Sequence, residues 1–183
     1  MSEMRKDAVR SRLRMVQAAR DLVASGESLA LNAVARAADV GVGTVYRHFG
    51  TVEALEDAVV LDRFENLAAI LRDARPDRFE DVLTAHFTLL TEDVLFERVT
   101  ARAVPASEEM VVMRNNLIDG LDQLMKCAVA QGHLRPEVDA TTVLSLVCGL
   151  AHAARSAEVA ADSPLSQSML RVMFDGMRLA ADA

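Results

Sequence analysis

The sequence predicts an all-α protein. Apolar residues recur three and four positions apart along most of its predicted segments, and no stretch alternates with period two for long enough to make a strand. Ala, Leu and Val dominate a chain that is 51% hydrophobic but only 4% aromatic, a composition suited to packed helices. The eight Gly and four Pro fall mostly at the ends of the periodic stretches. At 183 residues, the chain can bury one good core or two small ones.

Nine helices are expected. The first runs from about Lys6 to Ser25 and stops at Gly26. After a link at 27–30, Leu31 to Ala38 forms a second helix, with Leu31, Val34, Ala35 and Ala38 as its buried stripe. Asp39, Val40 and Gly41 make a turn, with Gly41 expected to take any backbone angle that other residues resist. Val42 to Phe49 is the third helix, anchored inward by Val45 and Phe49. Gly50 separates it from a long fourth helix, Thr51 to about Arg72, which Thr51 can cap. Pro76 suits the first turn of a fifth helix reaching Glu92, and a short sixth follows at about 92–102. Pro105 breaks the chain. Ser107 then caps a seventh helix that has Glu108 and Glu109 in its first turn, where the helix dipole favours negative charge. It ends at Gly132. Asp139 caps an eighth helix to about Ala160, and Ser163-Pro164 opens a ninth ending near Ala181.

The second and third helices with their tight turn form a helix-turn-helix. On the third, Thr44, Arg47 and His48 fall opposite Val45 and Phe49. Arg can bond guanine edges bidentately, and Thr44 and Tyr46 can offer hydroxyls to phosphate. Charge supports this polarity. Residues 1–50 hold eight Lys and Arg against five Asp and Glu, whereas residues 51–183 hold twelve against twenty-two. A basic end on an acidic body would orient the molecule towards DNA. Arg5, Lys6, Arg10, Arg12 and Arg14 are the expected phosphate contacts, with Arg36 and Thr51 added from the neighbouring helices.

The segment Arg14 to Leu55 resembles the TetR group of bacterial repressors. The resemblance is carried by Met15-Val16, Ala18-Ala19, Leu22-Val23, Val34-Ala35, the run Gly43-Thr44-Val45-Tyr46-Arg47-His48-Phe49, and then Glu53 and Leu55. Two positions depart from the pattern. Gly41 stands where the family often has Ser, and Val52 where it often has Lys, so one expected phosphate contact is missing. The resemblance implies a three-helix DNA-binding domain at 1–50 and a six-helix regulatory and dimerisation domain at 51–183. Their functional boundary falls inside the fourth helix. It also implies a small-molecule cavity in the body. Candidate wall residues are Phe64, Leu67, Phe79, Val82, His86, Phe87, Leu90, Met113, Leu117 and Leu121, whose apolar walls and isolated polar groups suit such a site.

The eighth helix is apolar on more than one side, so more than one side must be buried. Val143, Leu146, Val147, Leu150 and Ala154 form one stripe, and Met169, Val172, Met173 and Gly176 continue it on the ninth. A two-fold four-helix interface between copies would cover them. Two reading helices about one DNA turn apart then predict a pseudo-palindromic operator.

The two cysteines, Cys127 and Cys148, form neither a CxxC pair nor a zinc spacing and read as buried small hydrophobes in a reducing cytoplasm. No metal or cofactor motif stands out. The amino terminus has no signal-peptide pattern. Ala140 to Ala154, uncharged for fifteen residues, is too short to span a membrane. No nucleophile–base pair or phosphate loop is present, so catalysis is not expected; an enzyme using His86 is a weaker reading. The expected function is a ligand-responsive, homodimeric transcriptional repressor. The alternative is a small-molecule binding protein whose helix-turn-helix is only a structural cap.

Overall fold

The structure, a computed structural model, describes residues 2–179, with side chains from Asp7 onward. Nine α-helices occur among the described residues: α1 (Ser2–Ala24), α2 (Leu31–Ala37), α3 (Val42–Phe49), α4 (Val52–Asp73), α5 (Glu80–Glu92), α6 (Val94–Thr100), α7 (Glu108–Ala130), α8 (Ala140–Ser156) and α9 (Pro164–Met177). Apart from one isolated bridge between Leu134 and Arg178, no β-pairing is present among them.

The differences from expectation sit at helix ends, and each has a local cause. Asp39, not Gly41, carries the left-handed backbone of the α2–α3 turn, with φ of 51° against −64°. Asp is one of the few residues that tolerate this conformation, so the glycine is not needed for it. Gly50, at φ 72°, does take the left-handed region where α3 stops, and its amide closes on the Tyr46 carbonyl. Pro76 opens a single 3-10 turn (Pro76–Arg78) rather than α5 itself, and Arg75 clamps Asp77 beside it at 3.0 Å. The Asp93 carboxylate starts α6 by accepting from the Phe96 amide, and also pairs with Arg63. A left-handed Glu158 (φ 54°) ends α8 early, and α9 stops where the Arg135 amide bonds the Met177 carbonyl.

The chain packs as two units. The first runs through α1, α2 and α3 to Asp62 and also takes Arg102–Val111; the second holds Arg63–Ala101 and the chain from Val112. The chain therefore passes between them inside α4, between α6 and α7, and again inside α7.

In the first unit, α2 packs on α1 and α3. Small residues permit this: Ala18, Ala19, Ala35 and Ala38 are buried together with Met15, Val34, Val45, Phe49, Leu55 and Met110. Polar bonds tie the pieces together. Arg14 donates to the Ala38 carbonyl at 2.6 Å, and Arg20 reaches the Val59 carbonyl and Asp62 on α4. The strongest tie is a buried cluster. Asp57, only 1% exposed, accepts from Arg102 Nη1 (3.0 Å), the amides of Ala106 (2.9 Å) and Ser107 (2.8 Å), and Ser107 Oγ (3.0 Å). Arg102 also bonds Glu56 and the Glu53 carbonyl. Buried carboxylates are tolerated only when paired and hydrogen-bonded in this way.

In the second unit, α5 packs on α6 and α8, and α8 packs on α9. Phe87, Phe96, Leu83, Leu90, Val143, Val147 and Ala154 form its core, and Phe79 meets Phe174 edge-on at 6.3 Å. A Cβ at Gly120 would come within 2.8 Å of Leu71 Cδ2, so a larger residue there would have to push the tip of that leucine aside.

Candidate nucleic-acid interface and apolar cavity

The third helix divides its residues by face. Val45 and Phe49, one turn apart, are buried; Tyr46 is 51% exposed, Arg47 is exposed, and Thr44 and His48 are half-buried. Arg47 folds back along its own helix, donating from Nε to the Gly43 carbonyl (3.1 Å) and from Nη2 to Thr44 Oγ1 (3.2 Å). A guanidinium has five N–H donors, so most stay available while the two bonds hold the group in place. The outcome is a short outward surface of hydroxyl, phenol and guanidinium, suited to groove edges and phosphate oxygens.

The cations around α3 divide into two kinds. Arg36 on α2 and Arg10 on α1 are exposed, Arg10 lying 3.9 Å from Asp7. Arg12 and Arg14 were expected to reach phosphate but have structural partners instead. Arg12 bonds Glu109 at 2.8 Å and lies 5.7 Å from the centre of the Phe49 ring, while Arg14 holds the Ala38 carbonyl. The side chains of Arg5 and Lys6 lie outside the described residues. Thr51 caps α4, its hydroxyl accepting from the Ala54 amide at 3.1 Å. Glu53's own amide and the Thr51 hydroxyl hold the Glu53 carboxyl below its usual range.

The second unit contains a cavity of about 340 Å³. Six expected residues line it: Phe64, Leu67, Val82, His86, Leu117 and Leu121. Four expected ones do not. Phe79, Phe87 and Leu90 are buried in the packing of α5 against its neighbours, and Met113 is half-buried away from the lining. Leu71, Leu83, Thr100, Arg114, Ile118, Thr141, Leu144, Ser145 and Cys148 complete the wall. Leu83 falls on the same face of α5 as His86, and Leu144, Ser145 and Cys148 lie on one flank of α8. Helical spacing marks both groups once the direction of each helix is known.

His86 stands edge-on to Phe96 at 6.0 Å between ring centres. Its residue keeps partial access through the cavity. The dense apolar protein around the imidazole nevertheless pushes its pKa down from 6.5 to about 4, so it is neutral at pH 7. Thr100 lies on α6 one turn beyond Phe96, and its buried hydroxyl has no hydrogen-bond partner. Both cysteines are exposed, against the expectation that they would be buried. Partial burial, then the Glu97 carboxylate, push the Cys148 thiol up, against the smaller pull of Arg114 and Arg155.

The apolar surface of α8 and α9 also divides. Val143, Val147 and Ala154 are fully buried and Met173 nearly so, within their own unit. They were expected at an interface between copies, but their stripe is the one facing inward. Leu146 (47% exposed), Leu165 (49%) and Val172 (71%) face outward with Gly149 and Gly176, flanked by half-buried Leu150 and Met169.

A family model described as the C-terminal domain of SbtR-like transcriptional regulators matches residues 78–179. The chain is 23% identical to the HTH-type transcriptional regulator UidR of Escherichia coli K12, covering 99% of this chain and 100% of UidR. The crystal structure of a TetR transcription regulatory protein from Mycobacterium vanbaalenii is 25% identical with a TM-score of 0.56, covering 96% of this chain and 99% of the other. NalD from Pseudomonas aeruginosa, the secondary repressor of the MexAB-OprM multidrug efflux pump, shares the fold at 20% identity and a TM-score of 0.62, covering 95% and 100%. No helix among the described residues is long and apolar enough to cross a membrane.

Proposed function

This chain belongs to the SbtR-like transcriptional regulators of the TetR type, and from that premise we propose that it is a ligand-responsive repressor holding a pseudo-palindromic operator as a homodimer. Residues 1–50 read DNA; residues 51–183 bind the effector and join the subunits. The observation that carries the proposal is the outward face of α3, where Thr44 and Arg47 are bonded to each other beside exposed Tyr46. Arg36, Arg10, His48 and Thr51 are the further residues of the DNA-contacting set. A helix-turn-helix serving only as a structural cap is not favoured, because it would have no use for this surface.

The exposed Leu146, Leu165 and Val172 make α8 and α9 the surface for a second copy, with Gly149 and Gly176 permitting close approach. Dimerisation doubles the contacts of a short reading helix and sets their spacing. The cavity of the second unit is the effector site. Its occupancy would reach the first unit along the segment that leaves the wall at Thr100, passes the Arg102–Asp57 cluster and returns at Arg114. Such coupling requires the effector to bind two states unequally. The regulator would work where the chromosome is, in the cytoplasm, without catalysis.

The test is a gel-shift titration with DNA upstream of its own gene, comparing wild type with Arg47→Ala. Loss of a bidentate base contact should weaken binding by about 1–3 kcal/mol while the melting temperature stays unchanged. Equal affinity for the two proteins, or no binding by wild type even at low salt, defeats the proposal.

A further inference from the structure

We propose that the cavity takes a compact, uncharged molecule, apolar over most of its surface, whose one hydroxyl is bound between His86 and Thr100. This rests on reading the cavity as the effector site and adds what that effector must look like.

One polar group in the wall is orphaned, and a half-buried imidazole lines the same cavity. Thr100 Oγ1 is buried with no hydrogen bond, and desolvation rather than any hydrogen bond sets the state of the His86 imidazole. Both line the same cavity: His86 packs on Phe96, and Thr100 lies one turn further along α6. A buried polar group without a partner is costly and uncommon in a native fold, which makes the Thr100 hydroxyl an indication of what the cavity holds. Neutral imidazole offers one donor and one acceptor, and a threonine hydroxyl offers both. A single ligand hydroxyl can donate to one and accept from the other, satisfying the pair. Most of the lining is apolar, Phe64, Leu67, Leu83 and Leu117 among it, which fits a hydrocarbon or aromatic body.

Charge and size narrow the class. The imidazole is neutral, so it brings no countercharge for a carboxylate at this end. The cation on the wall, Arg114, already has an interaction within the protein. It also shares its neighbourhood with Cys148 and Glu97, the latter bonded to Arg155 at 2.7 Å. The volume of about 340 Å³ sits at the small end of ligand pockets, which run from about 300 to 1,000 Å³.

The experiment is calorimetric titration of the full-length protein at pH 7.5 with three probes sharing one skeleton: 4-propylphenol, propylbenzene and 4-propylbenzoate. The phenol should bind about tenfold or more tighter than the hydrocarbon, with the anion weakest. Thr100→Val, a change of nearly equal shape that removes the orphaned hydroxyl, should fold at least as well and bring the phenol-to-hydrocarbon ratio towards unity. His86→Phe should do the same from the other side. The proposal is overturned if the benzoate binds tightest, if phenol and hydrocarbon bind equally to wild type, or if the ratio survives both substitutions. It is also overturned if none of the three binds. That last result would leave DNA reading, tested separately through Arg47, untouched.

Discussion

Replacing Asp57 by alanine probes the cluster that ties α4 to the segment before α7. The carboxylate is 1% exposed and accepts four hydrogen bonds, one from Arg102 and three from Ala106 and Ser107. Breaking a buried ion pair by removing one partner costs about 3–5 kcal/mol when the other charge is stranded. Arg102 keeps Glu56 and the Glu53 carbonyl, and its side chain is 19% exposed, so its charge is not abandoned. The Ala106 amide, on an exposed residue, can turn to water. The lower end of the range, about 3 kcal/mol, is therefore the expected loss. For a chain of this length, that is a fall in melting temperature of about 6–12 °C. Asp57→Asn keeps one acceptor oxygen and should lose about half as much. Thermal melts by circular dichroism, with urea titration for the free energy, read both variants. A melting temperature for Asp57→Ala within 2 °C of wild type would refute the view that this carboxylate organises the segment.

Two further outcomes are expected. Leu146→Arg and Val172→Arg should each give monomers by analytical ultracentrifugation with weakened operator binding and unchanged helix content; dimers of undiminished affinity would remove α8 and α9 from the interface. His86 makes stability depend on pH. Its pKa is about 4 in the folded protein and 6.5 when exposed, so the unfolded chain takes up the proton first as pH falls. The contribution is complete above pH 6.5, declines below it and is gone below pH 4, a loss of about 3 kcal/mol. Urea titrations from pH 7 to 4 should show His86→Gln lacking that decline, and parallel curves for the two proteins would rule it out.

The helix-turn-helix was legible because its information is local. Turn residues, an apolar spacing of four between Val45 and Phe49, and polar residues opposite them all fall within nineteen positions, 31–49. Which side of α8 faces outward was only half legible for a physical reason. When α8 is apolar all round, periodicity marks several candidate faces and cannot say which one the rest of the unit occupies. Val143 and Val147 went inward while Leu146 stayed outside. Phe87 and Leu90 were misplaced likewise, because α5 buries more than the side that lines the cavity, and Phe79, just ahead of α5, packs on Phe174 instead. The Asp57–Arg102 pair had no local signature at all, its members lying 45 residues apart. Nor could sequence tell that Arg12 and Arg14 would be drawn to Glu109 and the Ala38 carbonyl.

The return of Arg102–Val111 to the amino-terminal unit bears on how this regulator could be recombined. A chimera grafting the chain up to Asp62 onto a foreign body inside α4 would leave behind Met110, Arg102 and the start of α7. Donor residues never matched to Glu56 and Asp57 would then face those carboxylates. A crossover that preserves the head must carry two separate pieces of gene, so exchange of operator specificity between relatives should tolerate changes on the surface of α3 far more readily than transfer of the chain up to Asp62 as a block.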